Sequence, residues 1–164
     1  MLRDKSLIPL SRQHQHALAL CVRLDRALQA GEFDAEPWQA EMAQIFEQEI
    51  VIHFAAEEKH VFPAAATFQE LQPVVQELIA EHALLRDLFA RAQSRGLDRS
   101  ALSSFAAALA QHIRKEERQL FEGMQQFMTA TELTTLGTAL DVALKDATQA
   151  CMLPRDLTQF DAKP

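Results

Sequence analysis

Two stretches of the chain repeat one arrangement of chemically capable residues: His53-Phe54-Ala55-Ala56-Glu57-Glu58 and His112-Ile113-Arg114-Lys115-Glu116-Glu117, each followed within a few residues by a phenylalanine, Phe62 or Phe121. On a helix, residues four apart share a face, so His53 with Glu57, and His112 with Glu116, each aim one imidazole and one carboxylate at a common point. Nitrogen and oxygen donors converging in this way suit a transition-metal ion. Two further histidines, His14 and His82, are each followed by apolar residues at helical spacing. At offsets of three, six, seven and ten these are Ala17, Leu20, Cys21 and Leu24 in one case, and Leu85, Leu88, Phe89 and Ala92 in the other. The order of a lone-histidine helix followed by a His-x-x-x-Glu-Glu helix therefore occurs twice. Two hairpins related by an approximate twofold axis would build a site for two metal ions.

The elements that must position these groups are helices. Gly and Pro fall almost entirely between long segments rich in Ala, Leu, Gln and Glu, so they act as punctuation in an all-α chain. A first helix is predicted from near Ser11 to Gly31, with His14 on its apolar face. A second starts near Pro37 with Asp34 as cap, buries Trp38, Ile45, Ile52 and Val61, and ends around Pro63. Pro73 suits the first turn of a third, which carries Val74, Leu78, Leu85, Leu88 and Phe89 inward and stops before Gly96. Asp98 caps a fourth that runs past Leu102, Phe105, Leu109 and Ile113 toward Phe127 and tolerates Gly123 at some cost. A shorter fifth, capped by Thr131, spans Glu132 to about Ala147. Its Leu133, Leu136 and Leu140 are placed to dock on the bundle or on another subunit. Four long helices with short connections pack as a four-helix bundle with an additional short C-terminal helix, and bundles hold metals between facing helices. We take residues 1–150 as one domain and 151–164 as an irregular tail.

Composition narrows the partners. The chain has 164 residues, 48% of them hydrophobic, which is enough for one domain with a real core. A net charge of -7 without a Lys/Arg run argues against nucleic acid or an anionic membrane. No apolar stretch approaches membrane-spanning length and the first residues lack a signal core, so a cytoplasmic protein is expected. Cys21 and Cys151 lack metal or redox spacing and read as reduced thiols. With 4 glycines and no grouped GxGxxG or GxxxxGK, no phosphate-cradling loop is present.

Taken together, the two motifs and the two phased histidines resemble the hemerythrin-like, or HHE, domain over roughly residues 8–128. The resemblance implies an up-and-down four-helix bundle with a non-haem di-iron centre, two iron ions held by His14, His53, His82 and His112 and bridged by Glu57 and Glu116. It implies binding or sensing of O2 or a related small molecule such as NO or peroxide. The other readings are a di-iron oxidase or peroxidase, and a structural bundle; zinc and manganese accept the same donors. A protein partner or a homodimer is compatible with it. The chain departs from the oxygen-carrying members, which place another histidine four residues after the position of His82: here Arg86 stands there, and a guanidinium cannot ligate. The site then either keeps an open or water-filled position or recruits His60, which lies seven residues after His53 and about 10 Å further along the helix axis and is expected to stand behind the ligands or line the pocket rather than to ligate. Glu58 and Glu117 lie about 100° round from Glu57 and Glu116 and are read as solvated or paired with Arg or Lys. Some hemerythrins place the carboxylate five residues after the histidine, which would put Glu117 in place of Glu116. Glu81 or another carboxylate is a candidate to orient an imidazole. His16 lies off the apolar stripe, as an exposed or rim residue.

Overall fold

A computed structural model describes residues 2–31 and 33–145. Among them are five helices and no strand. Helix α1 covers Ile8–Gln29. Helix α2, residues 35–65, starts as Ala35–Ile45, passes through a π turn at Phe46–Ile50, continues over Val51–Ala56, widens again at Glu57–Val61 and closes with Phe62–Ala65. Helix α3 is Gln72–Gln93. Helix α4, residues 99–127, runs Arg99–Lys115, a π turn at Glu116–Leu120, then Phe121–Phe127. Helix α5 is Ala130–Ala143. Packing is heaviest between α1 and α4 and between α2 and α3, with α3 also against α4.

The caps explain the boundaries. Asp34 accepts from the backbone N–H of Glu36, and Asp98 from that of Ala101, each satisfying a donor that the first turn leaves open. Helix α1 begins at Ile8 rather than near Ser11, because Pro9 falls in its first turn, where a preset φ favours the helix. Helix α5 is capped by Thr129, not Thr131: Glu132 stands three residues after Thr129 and returns a bond to its backbone N–H, closing a capping box. Helix α2 continues past Pro63, which follows directly on the π turn at Glu57–Val61, where the hydrogen-bond ladder is already interrupted. The residues from 146 on, including the end expected for α5 near Ala147, Cys151 and the tail expected over 151–164, lie outside the described residues.

Two apolar clusters flank the middle of the bundle. One holds Leu20, Leu24, Phe54, Leu85, Phe89, Leu102, Phe105 and Leu109 with their neighbours. The other holds Leu7, Leu10, Val61, Phe62, Leu78, Leu120, Phe121 and Met124, together with Leu136 and Leu140 of α5. Leu133, Leu136 and Leu140 are thus buried against this chain's own bundle. Of the residues expected inside α2, Val61 is fully covered, whereas Trp38, Ile45 and Ile52 are only half-buried. Glycine permits two close approaches. A Cβ on Gly123 would come within 2.5 Å of Leu71 Cδ2, and one on Gly137 within 2.8 Å of Ser6 Cβ and 3.1 Å of its Cα. The second seats the segment before α1 against α5.

Candidate metal centre

Between the two apolar clusters, six of the nine buried polar side chains among the described residues belong to one group. His14, His53, His82 and His112 are 0–3% exposed, and Glu57 and Glu116 are 0% exposed. All six motif residues meet there. His14, His53, Glu57 and Glu116 form one set of four whose donor atoms lie within 4.8 Å of one another; Glu57, His82, His112 and Glu116 form a second. The two glutamates belong to both sets. His60, Arg86 and Glu117 belong to neither.

Each pair of neighbouring donors is closely spaced. His14 Nε2 is 3.1 Å from Glu116 Oε2, His53 Nε2 3.2 Å from Glu57 Oε1, His82 Nε2 3.4 Å from Glu57 Oε2, and His112 Nε2 3.3 Å from Glu116 Oε1. Two ligands about 2.1 Å from one ion stand about 3.0–3.4 Å apart at octahedral or tetrahedral angles. Close as they are, the contacts lack hydrogen-bond direction. Both oxygens of Glu57, both of Glu116, and the Nε2 atoms of His82 and His112 find no hydrogen-bond partner among the described residues. Leaving so many buried polar atoms unsatisfied costs about 1–3 kcal/mol each, more when charged, and a bound cation removes that cost. His14 Nε2 and His53 Nε2 lie 3.1 Å apart, a hydrogen bond when one ring carries an extra proton and the spacing of two donors on one ion when both are neutral.

The far side of every imidazole is engaged. Nδ1–H of His14 donates to Glu117 Oε1 at 2.7 Å, that of His53 to Gln13 Oε1 at 2.8 Å, that of His82 to Glu58 Oε1 at 2.8 Å, and that of His112 to Glu81 Oε2 at 2.9 Å. These bonds fix the tautomer and turn each Nε2 lone pair inward. Glu58 and Glu117 are therefore not merely solvated or paired with a cation, because each reaches the lone histidine of the facing helix. Arg86 grips both oxygens of Glu58 at 2.7 and 3.0 Å and lies over the Phe54 ring; Arg3 binds Glu117 at 2.6 Å and lies over Phe121. Two of the three π turns among the described residues begin at the shared carboxylates, Glu57 and Glu116. Such turns cluster at functional sites, and here each sets a glutamate inward while the next one reaches across to the neighbouring helix. His60, on the first of them, faces a groove toward α5 lined by Thr135, Thr138 and Val142 rather than the centre. His16 is 51% exposed and pairs with Glu49.

The electrostatics show what the arrangement attracts. Burial, the strongest single influence on His14, favours the neutral ring, but the close carboxylates of Glu116 and Glu117 and the charge of Glu57 together raise its pKa to about 10. For Glu57, burial favours the neutral acid, and the opposing pull of His53 and His82 takes it well below the usual carboxylate range. Two buried carboxylates thus draw positive charge into the centre. Glu81 is lowered first by its bond from His112, so it is ionised at neutral pH.

The family model of the hemerythrin HHE cation binding domain matches residues 9–123, most of the chain and all six of these residues. The chain belongs to that family. Searches of curated proteins and of solved structures returned no match. As a hemerythrin-family bundle with a buried His/Glu cluster, it is built to bind metal; among the described residues no helix is long and apolar enough to cross a membrane. Two features of this member were not read from its sequence. Gln13 supports His53 just as Glu81 supports His112, and its place directly before His14, matching Glu81 before His82, was the available signal. Arg3 lies outside the matched region and the repeat, and nothing in the spacing marks it.

Proposed function

We propose that this chain binds two iron ions at His14, His53, His82, His112, Glu57 and Glu116, and that the centre binds or senses O2 or a related small molecule, NO or peroxide, in the cytoplasm. The observation that carries the metal reading is the set of partnerless carboxylate oxygens and imidazole nitrogens at 0–1% exposure. Iron, when bound, would supply a redox change and coordination of the small molecule. The remaining work falls to the protein. Glu117, Gln13, Glu58 and Glu81 hold the Nδ1 protons so that each Nε2 stays free to ligate. Phe54 stacks 3.7 Å from the His82 ring, and Phe62 and Phe121 pack on His82 and His14, which keeps bulk water away.

The size of the adjoining space favours a diatomic or similarly small ligand. A cavity of about 10 Å³, near the room of one water, adjoins His14, His53, His112 and Glu116 and is otherwise walled by Gln13, Ala17, Ile50, Phe54, Leu109 and Ile113. The test is metal content and the optical spectrum of anaerobically iron-loaded protein before and after admitting air. Two irons per chain and a new near-ultraviolet absorption are expected; zinc alone, or no metal and no spectral change, would overturn the proposal in favour of a structural bundle.

A further inference from the structure

The approximate twofold that relates the two sets of candidate ligands breaks at one pair of positions. Behind His14 and His82 stand matching groups, Glu117 and Glu58, each bonded in turn by a guanidinium, Arg3 or Arg86. Behind His53 and His112 stand Gln13 and Glu81, at nearly equal distances of 2.8 and 2.9 Å. The two differ in charge rather than in reach. A carboxylate accepts the Nδ1 proton more strongly than an amide, leaves the imidazole more electron-rich at Nε2, and brings a negative charge close to any cation bound there. Lys115 does not cancel that charge, because its ammonium is shared between Glu81 and Glu77 and so leaves the three groups net negative. Gln13 offers no such charge.

We infer that the His82/His112 position is the tighter of the two metal positions, and that residues 13 and 81 set the order in which the positions fill. This rests on the metal-binding reading above. Gln13 and Glu81 are positioning residues, since they touch imidazoles and not the ion.

Titration of metal-free protein with zinc(II) against a chromophoric chelator isolates affinity from any oxygen chemistry. The wild-type chain is expected to bind in two separated steps. Glu81→Gln, close to isosteric, weakens the tighter step by about 10–100-fold and leaves the other in place; Gln13→Glu tightens the weaker step. In the double swap the positions exchange rank, so that His53→Ala instead of His112→Ala abolishes the tighter step. Two wild-type steps of equal affinity, or a tighter step that ignores Glu81→Gln while helix content is unchanged, would overturn the inference and leave metal binding standing. Failure of the wild-type chain to take up any ion would remove the metal-binding reading and this inference with it.

Discussion

The first half of the repeat, residues 8–65, and the second, residues 72–127, brace their lone histidines by different means. Behind His82, Glu58 is clamped by Arg86, which sits four residues along the same helix as the histidine it serves. Behind His14, Glu117 is clamped by Arg3, from the segment ahead of α1, which Gln125 holds in place through bonds to Arg3, Asp4 and Leu2. One brace is internal to the repeat and the other is imported. The lesson is that a duplicated site can keep the same groups in contact with its centre while the layer behind them is assembled from unrelated parts of the chain.

The strongest test of the comparison removes one histidine from each half. His53→Ala and His112→Ala are each expected to lose about one of two iron equivalents by elemental analysis, with the His112 variant losing the tighter-held ion. His16→Ala should retain both, and equal retention in all three variants would dissolve the distinction between centre and rim. Next in size is the removal of metal from both halves together. Protein with free metal at about 100 times the Kd of each position should be more stable to denaturant than the chelated form by about 2.7 kcal/mol per ion, about 5.4 kcal/mol for both, and coincident unfolding curves would show that the halves do not need ions to stay joined.

A smaller effect probes the imported brace alone. Gly137→Ala places a methyl against Ser6, whose backbone cannot retreat without leaving α5, and overpacking of this kind costs about 1–3 kcal/mol. Its chemical-denaturation midpoint should fall while Ala139→Ser, on the same helix, stays near wild type. The least effect is expected from Arg3→Leu and Arg86→Leu. Exposed or partly buried ion pairs contribute about 0.2–1 kcal/mol, and the carboxylate charge that each substitution frees opposes the loss of positioning, so each should change metal affinity only a few-fold. A loss confined to Arg86→Leu would mean that the imported brace is idle.

The difference between the halves also marks how far the sequence could be read. Helices α1 to α4, their Asp34 and Asp98 caps and the six convergent residues follow from periodicity and spacing, because both depend on neighbours three or four places away. The partners of Glu58 and Glu117 depend on how α2 is rotated against α3 and α4 against α1, and the π turns at Glu57 and Glu116 alter that rotation without a residue type that announces them. His60 was misplaced for the same reason. Arg86 was recognised as a departure from the oxygen carriers, but its hold on Glu58 appears only once α2 and α3 are side by side.

The packing of α1 on α4 and of α2 on α3 bears on kinetics. One set of four draws His14 from α1, His53 and Glu57 from α2, and Glu116 from α4; the other draws on α2, α3 and α4. An ion in either set would therefore span both packed pairs, at a depth where the candidate ligands are 0–3% exposed. Exchange of such an ion requires the pairs to part, so its off-rate becomes a clock for the opening of the bundle itself.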